Sequence, residues 1–270
     1  MFDSLHTLLQ KKLLFIDGAM GTALQEKNLT PEDFGGKEYD GCNENLVLTR
    51  PDVIQDVHEQ YLKAGADIVE TNTFGGTPFV LDEFELGSKV EEINTRAVEL
   101  ALAACNKYST PEKPRFVAGS MGPTTKSLSV TGGITFDELA EEFRVQAYYL
   151  TKAGADYLLF ETALDTLNLK ACYVGSLAAF EELGKSIPIA ISGTIETMGT
   201  MLAGQAIEAF YTSIEHMKPL YVGLNCATGP EFMRSHIRSL AKISKYPVAV
   251  VPNAGIPDEE GNYPESPEDL

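Results

Sequence analysis

Two carboxylates and one thiol of this sequence lie at the ends of apolar runs, where they could bind a ligand or take part in catalysis. Asp17 ends the run LLFID, Glu161 directly follows the run YLLF, and Cys226 ends the run YVGLNC. Such runs are typical of strands buried on both faces of a parallel sheet, where a carboxylate is costly to bury without a partner. A salt bridge or a helix cap would supply that partner, and so would a cationic ligand.

The segment 17–22, Asp-Gly-Ala-Met-Gly-Thr, combines a carboxylate with a glycine-containing turn. Two glycines three residues apart let the backbone turn tightly and expose N–H groups to an anion. The simpler interpretation is an ordinary turn between a strand and a helix. Because Asp17 would repel a phosphate, an α-amino acid fits better. Its ammonium would meet Asp17 or Glu161, and its carboxylate would meet the backbone N–H groups.

The four cysteines occupy different environments. Cys105 and Cys172 lie among apolar residues of helical patterns and are predicted to be core thiols. Cys42 lies in the loop YDGCNENL, from which it could approach the strand ends, and no role is assigned to it. For Cys226, a small residue after a strand is the ordinary interpretation, and a metal ligand or nucleophile is the alternative.

All four histidines fall within helical patterns, on helix surfaces or in packing, and this argues against imidazole-based triads: His6, His58, His216 and His236.

Seven apolar or β-branched runs alternate with amphipathic helical patterns, which predicts an α/β fold with a parallel sheet and helices outside. Nearly every run ends on polar residues: Asp17, Glu70, Ser120, Glu161, Ser192, Asn225 and Asn253. The predicted strands are 13–18, 67–74, 116–123, 156–163, 188–195, 221–227 and 247–255. The predicted helices are 51–65, 89–107, 135–153, 166–184, 205–217 and 231–245, with Pro51 in a first turn and Thr135 and Glu138 forming a capping box.

Two similar segments indicate repeated βα units. YLKAGADIVETNT and YLTKAGADYLLFETA each contain a helix end, a glycine that we interpret as a helix cap (Gly65 and Gly154), and a strand. The repeat, and the absence of GxGxxG after any strand, favour a (β/α)8 barrel over a doubly wound sheet. After Gly255 only 15 residues remain, whereas another helix and strand need roughly 30. We therefore expect residues 1–270 to form one barrel domain that is truncated before strand eight.

Composition narrows the class of partner. The chain has 270 residues, 44% of them hydrophobic, and 21 Lys and Arg against 39 Asp and Glu give a net charge of −18. This charge opposes general binding to nucleic acid or to an anionic membrane. Charged residues interrupt the N-terminal apolar segment, so we expect no signal peptide and a cytoplasmic location. A small molecule or another protein is the expected partner.

Seven ordered motifs give the chain a resemblance to the homocysteine S-methyltransferase family. The resemblance covers essentially the whole chain and is greatest to the homocysteine-binding domain of the cobalamin-dependent methionine synthase branch. The motifs are FIDGAMGT (15–22), ETNTF (70–74), GPT (122–124), ET (161–162), ISGTI (191–195), GLNCATGP (223–230) and PNAGIP (252–257).

This resemblance implies a (β/α)8 barrel that holds zinc through three cysteines, the first being Cys226. The other two belong to a Gly-Gly-Cys-Cys motif at the end of strand eight, which this sequence lacks, so we expect them beyond Leu270. Asn253 is a weaker candidate to place a carbonyl oxygen near the metal. The resemblance also implies that Asp17 and Glu161 hold the ammonium of homocysteine, while backbone N–H groups around Gly18 and Ala19 hold its carboxylate.

In the cobalamin branch, the methyl donor is methylcobalamin on another module, which is recharged from methyltetrahydrofolate on a further barrel. We therefore expect a cobalamin module and a folate module outside this chain, and little activity from the chain alone. Two alternatives remain open. One is a homocysteine methyltransferase that uses betaine or S-methylmethionine, and the other is a non-catalytic paralogue that binds an amino acid without the zinc cysteine pair.

Overall fold

Six parallel strands form one sheet in the computed structural model, which describes residues 2–256, 263–266 and 268. The strands pair in chain order, so each connection crosses to the neighbouring strand and most carry a long helix. Their bounds confirm six of the predicted strands: β1 Ile68–Glu70, β2 Phe116–Met121, β3 Tyr157–Ala163, β4 Ile189–Gly193, β5 Val222–Asn225 and β6 Val248–Val251.

Ten α-helices surround the sheet in the described part of the chain. The helices α4, α6, α7, α8, α9 and α10 confirm the six predicted helices, whereas α1 and the short α2, α3 and α5 were not predicted. Their bounds are α1 Phe2–Leu9, α2 Met20–Gln25, α3 Leu46–Thr49, α4 Pro51–Ala64, α5 Pro78–Asp82, α6 Val90–Tyr108, α7 Phe136–Ala153, α8 Thr166–Leu183, α9 Ile207–Ile214 and α10 Pro230–Ile243.

The predicted signals at helix ends act as expected. Pro51 begins α4, and Thr135 caps α7 in a complete capping box with Glu138. Gly65 and Gly154 follow α4 and α7 with φ angles of 121° and 106°, a region open to glycine because it has no Cβ. These caps direct the chain into β1 and β3, whose ends carry Glu70 and Glu161.

The first predicted strand, 13–18, is reduced to a single parallel bridge between Ile16 and Ile68. The predicted seven strands are therefore six strands and one bridged segment. The cause is local. The Phe15 N–H donates to a carboxylate oxygen of Asp67 at 3.0 Å instead of to a strand carbonyl, which interrupts the ladder. The segment still lies beside β1, since Asp17 N donates to Ile68 O at 3.0 Å.

The inner face of the sheet is divided into an apolar end and a polar end. Successive strand residues point to opposite faces, so every second residue faces inward. At the amino ends of the strands the inward residues are apolar, and Leu5 of α1 closes that end with no exposed surface. At the carboxyl ends they are polar: Glu70, Ser120, Glu161, Ser192 and Asn225. The fold therefore collects polar groups at the carboxyl ends of the strands, which we call the mouth, above an apolar layer at the amino ends.

The outward residues of the sheet pack against the helices and form the largest hydrophobic core. Within this layer α7 and α8 approach each other closely, since a Cβ placed on Gly175 would lie 2.1 Å from the carbonyl oxygen of Ala140. Gly175 is thus required by contact with a neighbouring backbone. This packing fixes α8, and with it the end of β3.

No helix in the described ranges is long and apolar enough to cross a membrane. The predicted PNAGIP motif extends to Pro257, which lies outside the described residues, as do the further residues 258–262, 267 and 269–270 of the predicted domain.

Candidate functional site

Asp17 lies at the polar mouth with only 7% of its surface exposed. Both carboxylate oxygens accept from the backbone N–H of Glu70, each at 3.1 Å, which ties the Asp17 loop to the end of β1. Burial raises the pKa of Asp17 well above its ordinary value, and the nearby charge of Glu161 raises it further, while the bond from Glu70 N opposes both. The structure thus brings Asp17 and Glu161 close enough for their charges to interact, and their shared role in binding stays a prediction.

Glu161 and Glu70 complete a group of three carboxylates. The Glu161 side chain accepts a short hydrogen bond from the Ser120 hydroxyl and a second, at 3.3 Å, from the Thr162 hydroxyl. No side-chain hydrogen bond or ion pair involves the Glu70 carboxylate within the described ranges. Burial is the main cause that raises the pKa of both groups, and for Glu70 the charges of Glu161 and Asp17 add to it. Three acidic groups without a basic partner favour a cationic ligand.

A small pocket lies inside the sheet, and Glu70 and Glu161 form part of its wall. Its polar wall comes from Glu70, Glu161, Ser192 and Asn225, and its remaining wall is mostly apolar: Ile16, Leu159, Tyr221, Ala249 and Val251. A concave, largely apolar pocket with a few convergent polar groups is the usual form of a small-molecule site.

Gly18 and Ala19 follow Asp17 at the start of α2. Their backbone N–H groups donate to no backbone acceptor in the described part of the chain, and α2 has no side-chain cap. A Cβ on Gly18 would lie 2.8 Å from the Tyr61 hydroxyl oxygen, so Tyr61 packs directly against this turn. The turn is thus compact and presents unpaired donors beside Asp17, as the sequence interpretation requires.

Cys226 follows β5 at the same mouth, on a strained backbone. Cys226 and Ala227 have φ angles of 46° and 61°, which are uncommon for residues with a side chain. Three groups surround the sulfur: Asn225 Nδ2 at 3.4 Å, Thr162 Oγ1 at 3.7 Å and Thr194 Oγ1 at 3.9 Å. Burial raises the pKa of this thiol. The sulfur is half-buried and held among polar groups, unlike a packing thiol.

The other three cysteines are buried. Cys105 and Cys172 pack in hydrophobic clusters, as predicted. Cys42 is 1% exposed in a separate cluster, and burial raises its pKa to about 11.

The described residues do not form a complete metal site. Within them, no group of three or more His, Cys, Asp or Glu side chains is arranged to hold a metal ion. Of the cysteines in the part of the chain that the structure describes, Cys226 alone follows a strand at the mouth, whereas the implied site needs three. Asn253, the weaker candidate, is half-buried and follows β6; its N–H donates to Thr228 O at 3.2 Å, which places it near the turn after Cys226.

Three polar residues at the mouth were given no individual role by the sequence analysis: Thr162, Ser192 and Asn225. Ser192 and Asn225 stand at strand ends, which was the available signal. Thr162 also stands at a strand end, as part of the ET motif, but strand alternation would turn it to the outer face, and an irregularity in β3 brings it inward.

A sequence model of the family described as "Homocysteine S-methyltransferase" matches residues 14–270. The methionine synthase of Mycobacterium leprae (strain TN) is 42% identical, over 99% of this chain and 22% of that protein. The methionine synthase of Mycobacterium tuberculosis (strain ATCC 25618 / H37Rv) is 40% identical, over 100% of this chain and 23% of that protein. The chain thus spans less than a quarter of the length of these relatives.

Solved structures of similar fold include the homocysteine methyltransferase MmuM from Escherichia coli. Its metallated form aligns with a TM-score of 0.78 at 23% identity, over 93% of this chain and 87% of that chain. Its oxidized form aligns with a TM-score of 0.77, over 92% and 85%. At this identity the likeness concerns the fold alone, and it confirms the predicted barrel class.

Proposed function

Because the chain belongs to the homocysteine S-methyltransferase family, we propose that its mouth binds homocysteine and presents the substrate sulfur for methylation to methionine. The observation that carries the proposal is the placement of Asp17, Glu161 and Cys226 around one mouth. An ammonium would satisfy the two carboxylates, and a thiol a few bonds away would suit a metal ion that Cys226 helps to hold. Homocysteine has both.

The amino-acid end of homocysteine is held by two complementary parts of the mouth. Asp17 and Glu161 accept hydrogen bonds from the ammonium, which relieves the electrostatic cost of burying them. The unpaired N–H groups of Gly18 and Ala19 donate to the carboxylate. This arrangement fixes the ligand's orientation, so its side chain extends across the pocket toward Cys226.

Cys226 is proposed as one of three zinc ligands, with the remaining two outside this chain. The substrate thiol, with an ordinary pKa near 8.5, is mostly protonated at neutral pH. A zinc ion held at this site would promote its deprotonation. The chain's own contribution is to aim the substrate sulfur. Methyl transfer then forms a carbon–sulfur bond as the bond between the methyl carbon and its donor breaks, and it needs no general base from the protein.

We propose methylcobalamin as the donor, because the two curated relatives are methionine synthases. Cobalamin and methyltetrahydrofolate modules outside residues 1–270 would be partners of this domain, and the chain alone is expected to turn over little. A cytoplasmic location stays a prediction. Supplying methylcobalamin, betaine or S-methylmethionine to the full polypeptide and measuring methionine by chromatography would distinguish the donors.

The test of substrate binding is calorimetric titration of the chain with three ligands. We expect L-homocysteine to bind, and 4-mercaptobutyrate, which lacks the amino group, to bind at least about 30-fold more weakly because the carboxylates then lack their cation. L-serine, which lacks sulfur, is the control for general amino-acid binding. Equal affinities for homocysteine and 4-mercaptobutyrate would contradict the proposed role of the mouth.

A further inference from the structure

Thr162 has an unusual backbone for its residue type. Its φ angle is 53°, a region that a β-branched residue rarely adopts. The register of β3 against β4 shows why. Phe160 pairs with Ile191 and Ala163 pairs with Gly193, so β3 has one extra residue at this point. This bulge lets Glu161 and Thr162, although adjacent in sequence, both contact groups at the mouth.

Thr162 is bound to Asn225 by a reciprocal pair of hydrogen bonds. Asn225 Oδ1 accepts from the Thr162 backbone N–H at 3.0 Å, and Asn225 Nδ2 donates to Thr162 Oγ1 at 2.6 Å. The Ser192 hydroxyl donates to the same Oδ1 at 2.6 Å. A backbone N–H can only donate, so the atom that faces it must be the amide oxygen, and this fixes which way the Asn225 amide points.

This fixed orientation places Asn225 Nδ2 toward Cys226, whose sulfur lies 3.4 Å away. The Thr162 hydroxyl lies 3.7 Å from the same sulfur and donates to Glu161 Oε2 at 3.3 Å. One continuous set of hydrogen bonds therefore runs from the Glu161 carboxylate through Thr162 and Asn225 to the sulfur of Cys226. It joins the group proposed for the ammonium to the group proposed for the substrate sulfur.

We propose that Thr162 and Asn225 are positioning residues that set the spacing between Glu161 and Cys226, and so select an amino acid thiol of one chain length. This inference rests on the proposed function and deepens it. Homocysteine and cysteine carry the same three functional groups and differ by one methylene. A fixed spacing matches the longer chain and leaves the sulfur of cysteine short of its position.

Backbone strain supports a positioning role. A β-branched residue keeps a left-handed conformation only where the surrounding structure holds it there, and such strain collects at functional sites. Thr194 provides the comparison within the same site. Its hydroxyl lies 3.9 Å from the Cys226 sulfur, but it has no hydrogen bond to Glu161 or Asn225 among the described residues. Removing the hydroxyl of Thr162 or of Thr194 removes one polar group near the Cys226 sulfur. Only the loss of the Thr162 hydroxyl also breaks the connection to Glu161.

The test measures the ratio of dissociation constants for L-cysteine and L-homocysteine by calorimetry on the full polypeptide, which supplies the other two proposed zinc ligands, in reducing, zinc-supplemented buffer. One methylene changes discrimination between two ligands by about 10- to 200-fold in a fitted pocket. We therefore expect a wild-type ratio of dissociation constants of at least about 10. In Thr162→Val, which keeps the shape and loses the hydroxyl, we expect the ratio to fall below about 3. Thr162→Gly removes the hydroxyl and relieves the strain, and it serves if the Val variant does not fold.

Two matched variants complete the design. Thr162→Ser keeps the hydroxyl and is expected to retain the wild-type ratio, and Thr194→Val is expected to retain it as well. An unchanged ratio in Thr162→Val or Thr162→Gly would overturn the inference, and so would an equal fall in Thr194→Val. In either case, homocysteine binding by the wild type would still support the proposed function. Absence of homocysteine binding by the wild type would reject the proposed function, and the inference with it.

Discussion

Three carboxylates at the mouth are buried without a basic partner among the described residues. Asp17, Glu70 and Glu161 all have pKa values raised chiefly by burial, and none forms an ion pair within the described residues. Strand-end position was enough to predict that Asp17, Glu161 and Cys226 lie at the carboxyl ends of the strands. Thr162 stands in the ET motif, but its inward position could not be predicted, because it depends on a one-residue bulge that no sequence pattern signals.

His58 shows the effect of burial on a base, and it provides a test of the structure by pH. It is fully buried on α4, and both ring nitrogens lack a hydrogen-bond partner among the described residues. Burial lowers its pKa to about 4. The neutral ring is therefore favoured in the folded chain, and its contribution to stability is present above the ordinary pKa near 6.5 and is lost as pH falls toward 4.

The prediction concerns His58→Leu, measured by urea unfolding at several pH values. Relative to this variant, the wild type is expected to lose about 2 kcal/mol between about pH 7 and about pH 5. The comparison with the variant matters because the mouth carboxylates, whose pKa values are raised, have the opposite sign and gain stability as they protonate. Parallel pH profiles for the two proteins would show that His58 is hydrated or paired in solution.

Helix boundaries were largely predictable because their signals are local. Pro51, the Thr135 capping box and the glycines after α4 and α7 all act within one or two turns. The first predicted strand was less predictable, since the side chain of Asp67, distant in sequence, replaces a ladder bond at Phe15. Short α2 and α5 lack an amphipathic period long enough to be recognised.

The contact between α7 and α8 gives a prediction about packing. In Gly175→Ala, the new Cβ would lie 2.1 Å from the Ala140 carbonyl oxygen, so the helices must separate. We expect the free energy of unfolding to fall by at least about 2 kcal/mol. Gly21→Ala is the control, because its Cβ meets nothing within 4 Å, and a change within about 0.5 kcal/mol is expected. Equal stabilities of the two variants would argue against this packing.

At the scale of the whole molecule, polar groups and apolar packing lie at opposite ends of the inner face of the sheet. Polar residues gather at the carboxyl ends of the strands, as the barrel class predicts, and apolar residues fill the amino ends. The closing helix α1 was missed from sequence because the first 15 residues carry charges within an apolar segment. Its role depends on a cavity that exists only once the sheet has curled.

Leu5 tests the closure of this end. It is fully buried against the inward residues of the strands, so Leu5→Ala should reduce the free energy of unfolding by roughly 2 to 5 kcal/mol. Leu13→Ala is the control, since Leu13 is 77% exposed, and little change is expected there. If denaturant unfolding shows equal stabilities for the two variants, α1 does not close the sheet in solution.

The most direct test of the central claim is the affinity for L-homocysteine of Asp17→Asn and Glu161→Gln, measured by calorimetry beside wild type. Each change keeps the shape and removes the charge that faces the ammonium, so we expect binding at least about 30-fold weaker, or about 2 kcal/mol. Glu208→Gln, an exposed carboxylate on α9, is the control and should bind as wild type does. Wild-type affinity in both mouth variants would contradict the account.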